Sequence, residues 1–174
     1  MSRRRRIPFG SNNFLSVLEG VEGGFAIFAG IIVGLMFEGV GRDLLILTAS
    51  IGIIVSAFNS SAVRFSSEHY LDELDGHEKR RQFHSYFVPS LVEFISYLVV
   101  SLIALIPLLI VEDITTAIIC SVIITLVILF TAGWYRGRLL NRRHAMRDGI
   151  EVSSLGALII FIGGLSGWII SRVL

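Results

Sequence analysis

Two glutamates in an apolar stretch near the start of the chain are the first residues whose placement points to chemistry. Glu19 and Glu22 are three residues apart, so they share one face of a helix. A charged side chain at the bilayer centre costs about 2.5–3.5 kcal/mol on insertion scales, so each carboxylate must face protein, water or a cation, or be protonated. Two ionised carboxylates one turn apart repel, and a divalent cation or a shared proton removes that repulsion. The pair therefore predicts exchange of a metal ion for protons; the alternative is that both acids are hydrated at the membrane surface.

A second set of candidate metal ligands follows the second apolar stretch, where residues 66–87 read SSEHYLDELDGHEKRRQFHSYF. On a helix, His69, Glu73 and His77 fall four apart on one side. Glu68 and Asp72 belong to an acidic stripe beside them. Imidazole combined with carboxylate suits Fe, Mn, Zn and similar divalent metals. The sequence leaves open whether this face binds metal or is only solvated.

Four further polar residues occur where apolar ones are expected. Ser56, Asn59 and Ser60 lie on one face of the second apolar stretch. They can supply neutral oxygen ligands to an ion or make hydrogen bonds between helices. Glu93 lies in the first turns of the third stretch, where it lines a mouth of the transport pathway or sits at the membrane surface.

These residues belong to a chain that is too apolar to be a soluble enzyme. It has 174 residues, 53% of them hydrophobic and 17% charged, and a mean hydropathy of +0.76. A membrane-spanning helix needs about 20 apolar residues. Five stretches qualify: 14–36, 44–63, 87–111, 114–134 and 152–174. We therefore expect an all-α membrane protein with a single five-span domain over residues 1–174, in which residues 64–86 form a short loop or helix. No nucleophile–base pair, cysteine site or phosphate-binding loop indicates catalysis.

The positions of the basic residues predict the orientation of the chain. Thirteen of the fifteen Lys and Arg lie in the amino-terminal tail and after the second and fourth spans. Cytoplasmic loops carry an excess of Lys and Arg, so we expect a cytoplasmic amino terminus and an external carboxyl terminus. The four arginines at positions 3–6 are expected to contact anionic lipid, and we expect no nucleic-acid partner.

Glycines surround the two glutamates of the first span at regular spacing. Gly20 and Gly24 are four residues apart, and so are Gly30 and Gly34. This spacing allows helix backbones to approach closely. It serves either packing within the chain or the approach of two copies of the first span, which would place four glutamates around one axis.

Short motifs occur along the chain in an order found in one known family. They are Glu19-Gly20 before residues 25–30, residues 67–70 before Glu73-Leu74, and residues 133–138. Together with the five spans, they resemble the vacuolar iron transporter family, whose members exchange Fe²⁺ or Mn²⁺ for protons. The resemblance implies a homodimer with a pore at the two-fold axis, lined by the first two spans. It also implies that Glu19 is the metal-binding acid of the first span.

Two departures from the family pattern affect the expected metal site. The family carries a Glu and a Met as ligands in the second span, where this chain offers Ser56, Ala57 and Asn59. Loss of the soft thioether weakens the case for Fe²⁺ in particular. The family also has a longer cytoplasmic metal-binding domain, so this chain is expected to be a short, divergent member in which that domain is reduced.

The residues and the resemblance together lead to one leading hypothesis and two alternatives. The leading one is a dimeric secondary transporter that exports Fe²⁺ or Mn²⁺ from the cytoplasm in exchange for protons, with the metal as substrate and no permanently bound cofactor. We expect it in a prokaryotic plasma membrane rather than a vacuole. The alternatives are a non-transporting membrane protein of the same fold, acting as a metal sensor or an assembly or structural subunit, and a passive cation channel.

Overall fold

The computed structural model describes residues 11–76, 83–140 and 144–173 as five long α-helices and one π-helical turn. The helices are α1 (Ser11–Met36), α2 (Arg42–Leu74), α3 (Val88–Ile110), α4 (Ile114–Leu140) and α5 (Ala145–Val173), and the π-helical turn Phe83–Phe87 leads into α3. Each α-helix is long and apolar enough to cross a membrane, and the described ranges contain no strand. The expected all-α, five-helix membrane fold is confirmed. Several helices extend beyond the expected spans, so where the bilayer begins and ends along them stays a prediction.

Local sequence explains where several of these helices begin and end. The reversal between α1 and α2 contains Gly39, whose φ of 63° lies in the left-handed region that favours glycine. Gly76, with a φ of 66°, likewise follows the last turn of α2. At the start of α4, the Asp113 carboxylate accepts hydrogen bonds from the Thr116 backbone N–H at 2.8 Å and from its hydroxyl at 2.5 Å. These bonds lower the pKa of Asp113 below its ordinary value.

The helices alternate in direction, and α1 contacts each of the other four. Gly20 lies against Glu93 of α3 and Gly30 against Ile159 of α5, so α1, α3 and α5 begin at the same end of the bundle. We call this end, where α2 and α4 finish, the ionic end. The bundle encloses α1 most and leaves α2 and α5 most exposed to their surroundings.

Close approach of α1 to α3 and α5 depends on glycine. A Cβ atom on Gly20 would lie 2.6 Å from the carbonyl oxygen of Glu93. At the other end of α1, Gly34 lies against Gly163 and Gly167, where a Cβ on Gly167 would overlap the Gly34 carbonyl oxygen. Both pairs of glycines in α1 therefore serve packing within the chain, one of the two roles that their spacing predicted. They give no support to the other role, contact between the first spans of two copies of the protein.

We predict that Gly167→Ala destabilises the protein because the added methyl group meets backbone, which cannot move aside. Overpacking of this kind costs about 1–3 kcal/mol. The matched control is Gly52→Ala in α2, where the new Cβ would meet only the flexible end of Ile31, at 3.0 Å. Thermal unfolding in detergent should show a lower melting temperature for Gly167→Ala than for the control. Equal melting temperatures would contradict the close packing of α1 on α5.

Candidate functional site

Arg64 lies at the centre of a group of carboxylates at the ionic end. The sequence places it among the basic residues after the second span, at the start of the predicted loop or helix over residues 64–86. It lies within α2, which continues to Leu74, and only 7% of its side chain is exposed. Its guanidinium forms ion pairs with Glu19 of α1, with Glu68 of α2 and with Glu93 of α3. The residue counted as a marker of orientation is therefore part of the candidate site.

The geometry of this group follows from helix periodicity. Ser60, Arg64 and Glu68 are four residues apart, so they share one face of α2. Arg64 Nη2 lies 2.7 Å from Glu68 Oε1, and Arg64 Nε lies 3.8 Å from Glu93 Oε2. The Ser60 hydroxyl donates to Glu93 Oε1 at 2.5 Å. We call these four residues together with Glu19 the Arg64 cluster.

The Arg64 cluster has an excess of negative charge. With all three carboxylates ionised and one guanidinium, its formal charge is −2. Glu93 is the most enclosed acid, with 4% of its side chain exposed, and its Oε2 atom has no hydrogen-bond partner. Buried charges are stable only when they are paired and hydrogen-bonded. The cluster is therefore suited to attract a further cation or to take up protons.

Glu22 has a counter-charge of its own. Its Oε1 atom lies 3.1 Å from Nη1 of Arg136, near the end of α4, and both side chains are partly buried. The two glutamates of α1 thus pair with arginines of different helices, Glu19 with α2 and Glu22 with α4. Their mutual repulsion, for which the sequence offered a metal ion or a shared proton, is reduced here by two guanidinium groups.

Of the polar residues on this face of the second span, Ser60 belongs to the Arg64 cluster, whereas no contact joins Ser56 or Asn59 to it among the described residues. Ser56 is half-buried on α2. Asn59 is exposed on the outer face of α2. The structure brings neither residue into contact with Glu19 or Glu22, so their proposed role as neutral ligands stays a prediction.

His69 and Asp72 contact the π-helical turn. The His69 ring stacks on Phe65, with centroids 6.4 Å apart, and meets the edge of Tyr86 at 5.3 Å. The Tyr86 hydroxyl donates to Asp72 Oδ2 at 2.7 Å. These contacts fix the turn before α3 against the last turns of α2.

The candidate ligands at the end of α2 therefore divide between several environments. Glu68 faces Arg64, whereas His69 lies among aromatic rings and Glu73 is exposed. His77 lies outside the described residues. Within residues 11–76, 83–140 and 144–173, no group of three or more His, Cys, Asp or Glu is placed to hold a metal ion. The carboxylates of the Arg64 cluster surround the guanidinium instead of facing one another.

Sequence reasoning missed the two arginines, although signals for them exist. Arg64 precedes Glu68 by four residues, a spacing at which a helical ion pair forms. For Arg136, the only signal is that an intramembrane acid such as Glu22 needs a counter-charge. Many arginines along the chain meet that condition, so the sequence alone does not select this one.

We predict that Arg136→Gln lowers stability because it leaves Glu22 without its counter-charge in a membrane-crossing helix. The double variant Arg136→Gln/Glu22→Gln should be less destabilised than the sum of its single variants. Coupling energies for residues in contact are about 0.5–3 kcal/mol. Thermal unfolding of the four proteins in one detergent gives this energy, and strictly additive effects would show that the pair does not form.

Comparison with known proteins gives one family. A family model described as the VIT family matches residues 53–168, two thirds of the chain. The matched range includes Arg64, Glu68, Glu93 and Arg136, but not α1 with its two glutamates. A search of curated proteins gives no match.

Proposed function

The chain belongs to the VIT family, whose members are membrane metal-ion transporters and not enzymes, and from that premise we propose that it exports Fe²⁺ or Mn²⁺ from the cytoplasm in exchange for protons. Family membership confirms the resemblance drawn from the motifs, and the five helices make the chain a multi-pass membrane protein. The observation that carries the proposal is the Arg64 cluster. Its carboxylates come from three helices and together exceed the charge of the one guanidinium that they surround.

In this proposal the acids of the cluster bind the ion within the membrane. Carboxylate and neutral oxygen ligands suit Mn²⁺, and imidazole with carboxylate suits Fe²⁺. Glu19, Glu22 and Glu93 lie along the pathway, with Ser56 and Asn59 as neutral oxygens nearer the middle of α2. Protonation of the carboxylates removes their charge and releases the metal.

The end of α2 collects ions before they enter the membrane. Glu68, His69, Asp72, Glu73 and His77 supply carboxylate and imidazole groups at the expected cytoplasmic mouth. Exposed carboxylates there raise the local concentration of cations. A permanently bound cofactor has no part in this mechanism, since the metal is the substrate.

The proposed transporter is a homodimer in which α1 and α2 of the two copies meet. Glu19 has 45% of its side chain exposed in the single chain, and Asn59 is exposed on α2. Polar groups that face lipid are costly, so a second copy covering them would stabilise both. We place the amino terminus in the cytoplasm and the protein in a prokaryotic plasma membrane.

One observation favours the alternative of a non-transporting protein. Glu19 and Glu22 each pair with an arginine, and such pairs also occur for purely structural reasons. In that case the acids hold helices together, and the protein acts as a sensor or as an assembly or structural subunit. A transport measurement separates the two functions.

We predict that Glu19→Gln lowers metal transport at least about 10-fold, because loss of a group that positions a metal costs about 10–100-fold in affinity or activity. The measurement is Mn²⁺ or Fe²⁺ flux into proteoliposomes with and without a pH gradient. The control is Glu151→Gln, which removes an exposed acid of α5 near the same end of the bundle. Flux that depends on the gradient and on Glu19 supports exchange. Absence of flux from folded wild-type protein would favour the non-transporting alternative.

A further inference from the structure

The Arg64 guanidinium lies among the carboxylates of Glu19, Glu68 and Glu93. We propose that this guanidinium is the resident cation of the transport site, and that a metal ion binds only by displacing it. The inference rests on the proposed function, since it concerns the same site. It assigns Arg64 a positioning role that the motifs of the sequence do not indicate.

The first support is the way the guanidinium contacts its partners. Three different nitrogen atoms face three different acids: Nη1 faces Glu19, Nη2 faces Glu68 and Nε faces Glu93. Each acid comes from a different helix. A planar guanidinium is suited to such multiple contacts, whereas an ammonium group is a compact point charge. Arg64 thus takes the place of a central cation.

The second support is that the guanidinium leaves one buried carboxylate oxygen of the cluster without a hydrogen bond. Glu93 Oε2 is buried, lies 3.8 Å from Arg64 Nε and has no hydrogen-bond partner. An unsatisfied buried charged group costs free energy, so a ligand that bound it directly would be favoured. The Ser60 hydroxyl already holds the other oxygen of Glu93, at 2.5 Å, and so fixes the carboxylate. Glu93 Oε2 is therefore available to bind a metal ion directly once Arg64 has moved.

The third support is that metal and guanidinium exclude each other. Two cations between the same carboxylates repel strongly in a medium of low dielectric constant. The guanidinium also holds the acids around itself, and in the described ranges no three acids are placed to hold a metal. Displacement of Arg64 would let Glu19 and Glu93 turn toward a common ion.

Glu68 is the partner that Arg64 keeps in the displaced state of this proposal. Glu68 lies one turn further along α2 and is more exposed than Arg64, with 24% of its side chain accessible against 7%. Arg64 can keep this contact while it leaves Glu19 and Glu93. When the metal departs, the guanidinium returns, so the empty site keeps a positive charge and does not depend on protons alone.

Binding of Mn²⁺ to the full-length protein in detergent micelles, followed by electron paramagnetic resonance, tests this inference. If the state with Arg64 displaced is populated at about 10% or less, the apparent affinity is reduced about 10-fold or more. Arg64→Gln should therefore bind Mn²⁺ at least about 10-fold more tightly than wild type. Arg64→Lys should show a smaller gain because an ammonium group cannot contact all three acids at once.

Arg138→Gln is the matched control. It removes an exposed arginine near the same end of the bundle that lies over the Trp134 ring, outside the Arg64 cluster. An equal gain for this variant would show a general effect of charge and overturn the inference. Unchanged affinity in Arg64→Gln would also overturn it. If Arg64→Gln does not fold, the lysine variant decides, and affinity no higher than that of wild type contradicts the proposal.

The two proposals fail in different measurements. Flux that depends on Glu19, combined with no gain in Mn²⁺ affinity in the Arg64 variants, removes the role of Arg64 and leaves the transporter. Tighter Mn²⁺ binding by Arg64→Gln, combined with no flux from wild type, supports the resident cation and removes the transport function.

Discussion

The ionic end of the bundle depends on one buried guanidinium group. Arg64 contacts acids of α1, α2 and α3, and its side chain is almost wholly enclosed. Removal of one partner from a buried ion pair costs about 3–5 kcal/mol, because the other charge is left uncompensated. Three helices must therefore stay in register around Arg64. The same contacts that hold them together place an excess of negative charge at this end of the bundle.

This arrangement of charges requires helices that lie unusually close together. Gly20 allows α1 to reach α3 beside Glu93, and its neighbour Glu19 thereby comes within range of Arg64. Gly34 and Gly167 likewise allow the backbones of α1 and α5 to lie close together. Small residues at such positions are the usual means by which membrane helices pack, since lipid provides no hydrophobic force between them. Packing and charge pairing thus support each other along α1.

The sequence predicts the number of helices and the unusual residues, but not the partners of those residues. An apolar stretch of about 20 residues is a local property, so the five membrane-spanning helices can be predicted from the sequence alone. Glu19 and Glu22 stand out for the same reason. Their partners depend on which helices become neighbours, and Glu22 and Arg136 are 114 residues apart. From the sequence, Arg64 counts only as one of the basic residues that indicate orientation. Its role as an ion-pair partner follows from the continuation of α2 to Leu74, which places it inside the bundle.

The long separation between these partners bears on how the protein enters the membrane. Synthesis begins at the amino terminus, so α1 is complete before either Arg64 or Arg136 has been made. Until then its two glutamates have no guanidinium beside them, and hydrocarbon is a costly place for them. We expect the first helix to reach its final depth only after α2 supplies a counter-charge for Glu19 and α4 supplies one for Glu22. In that case the later helices complete the placement of the first.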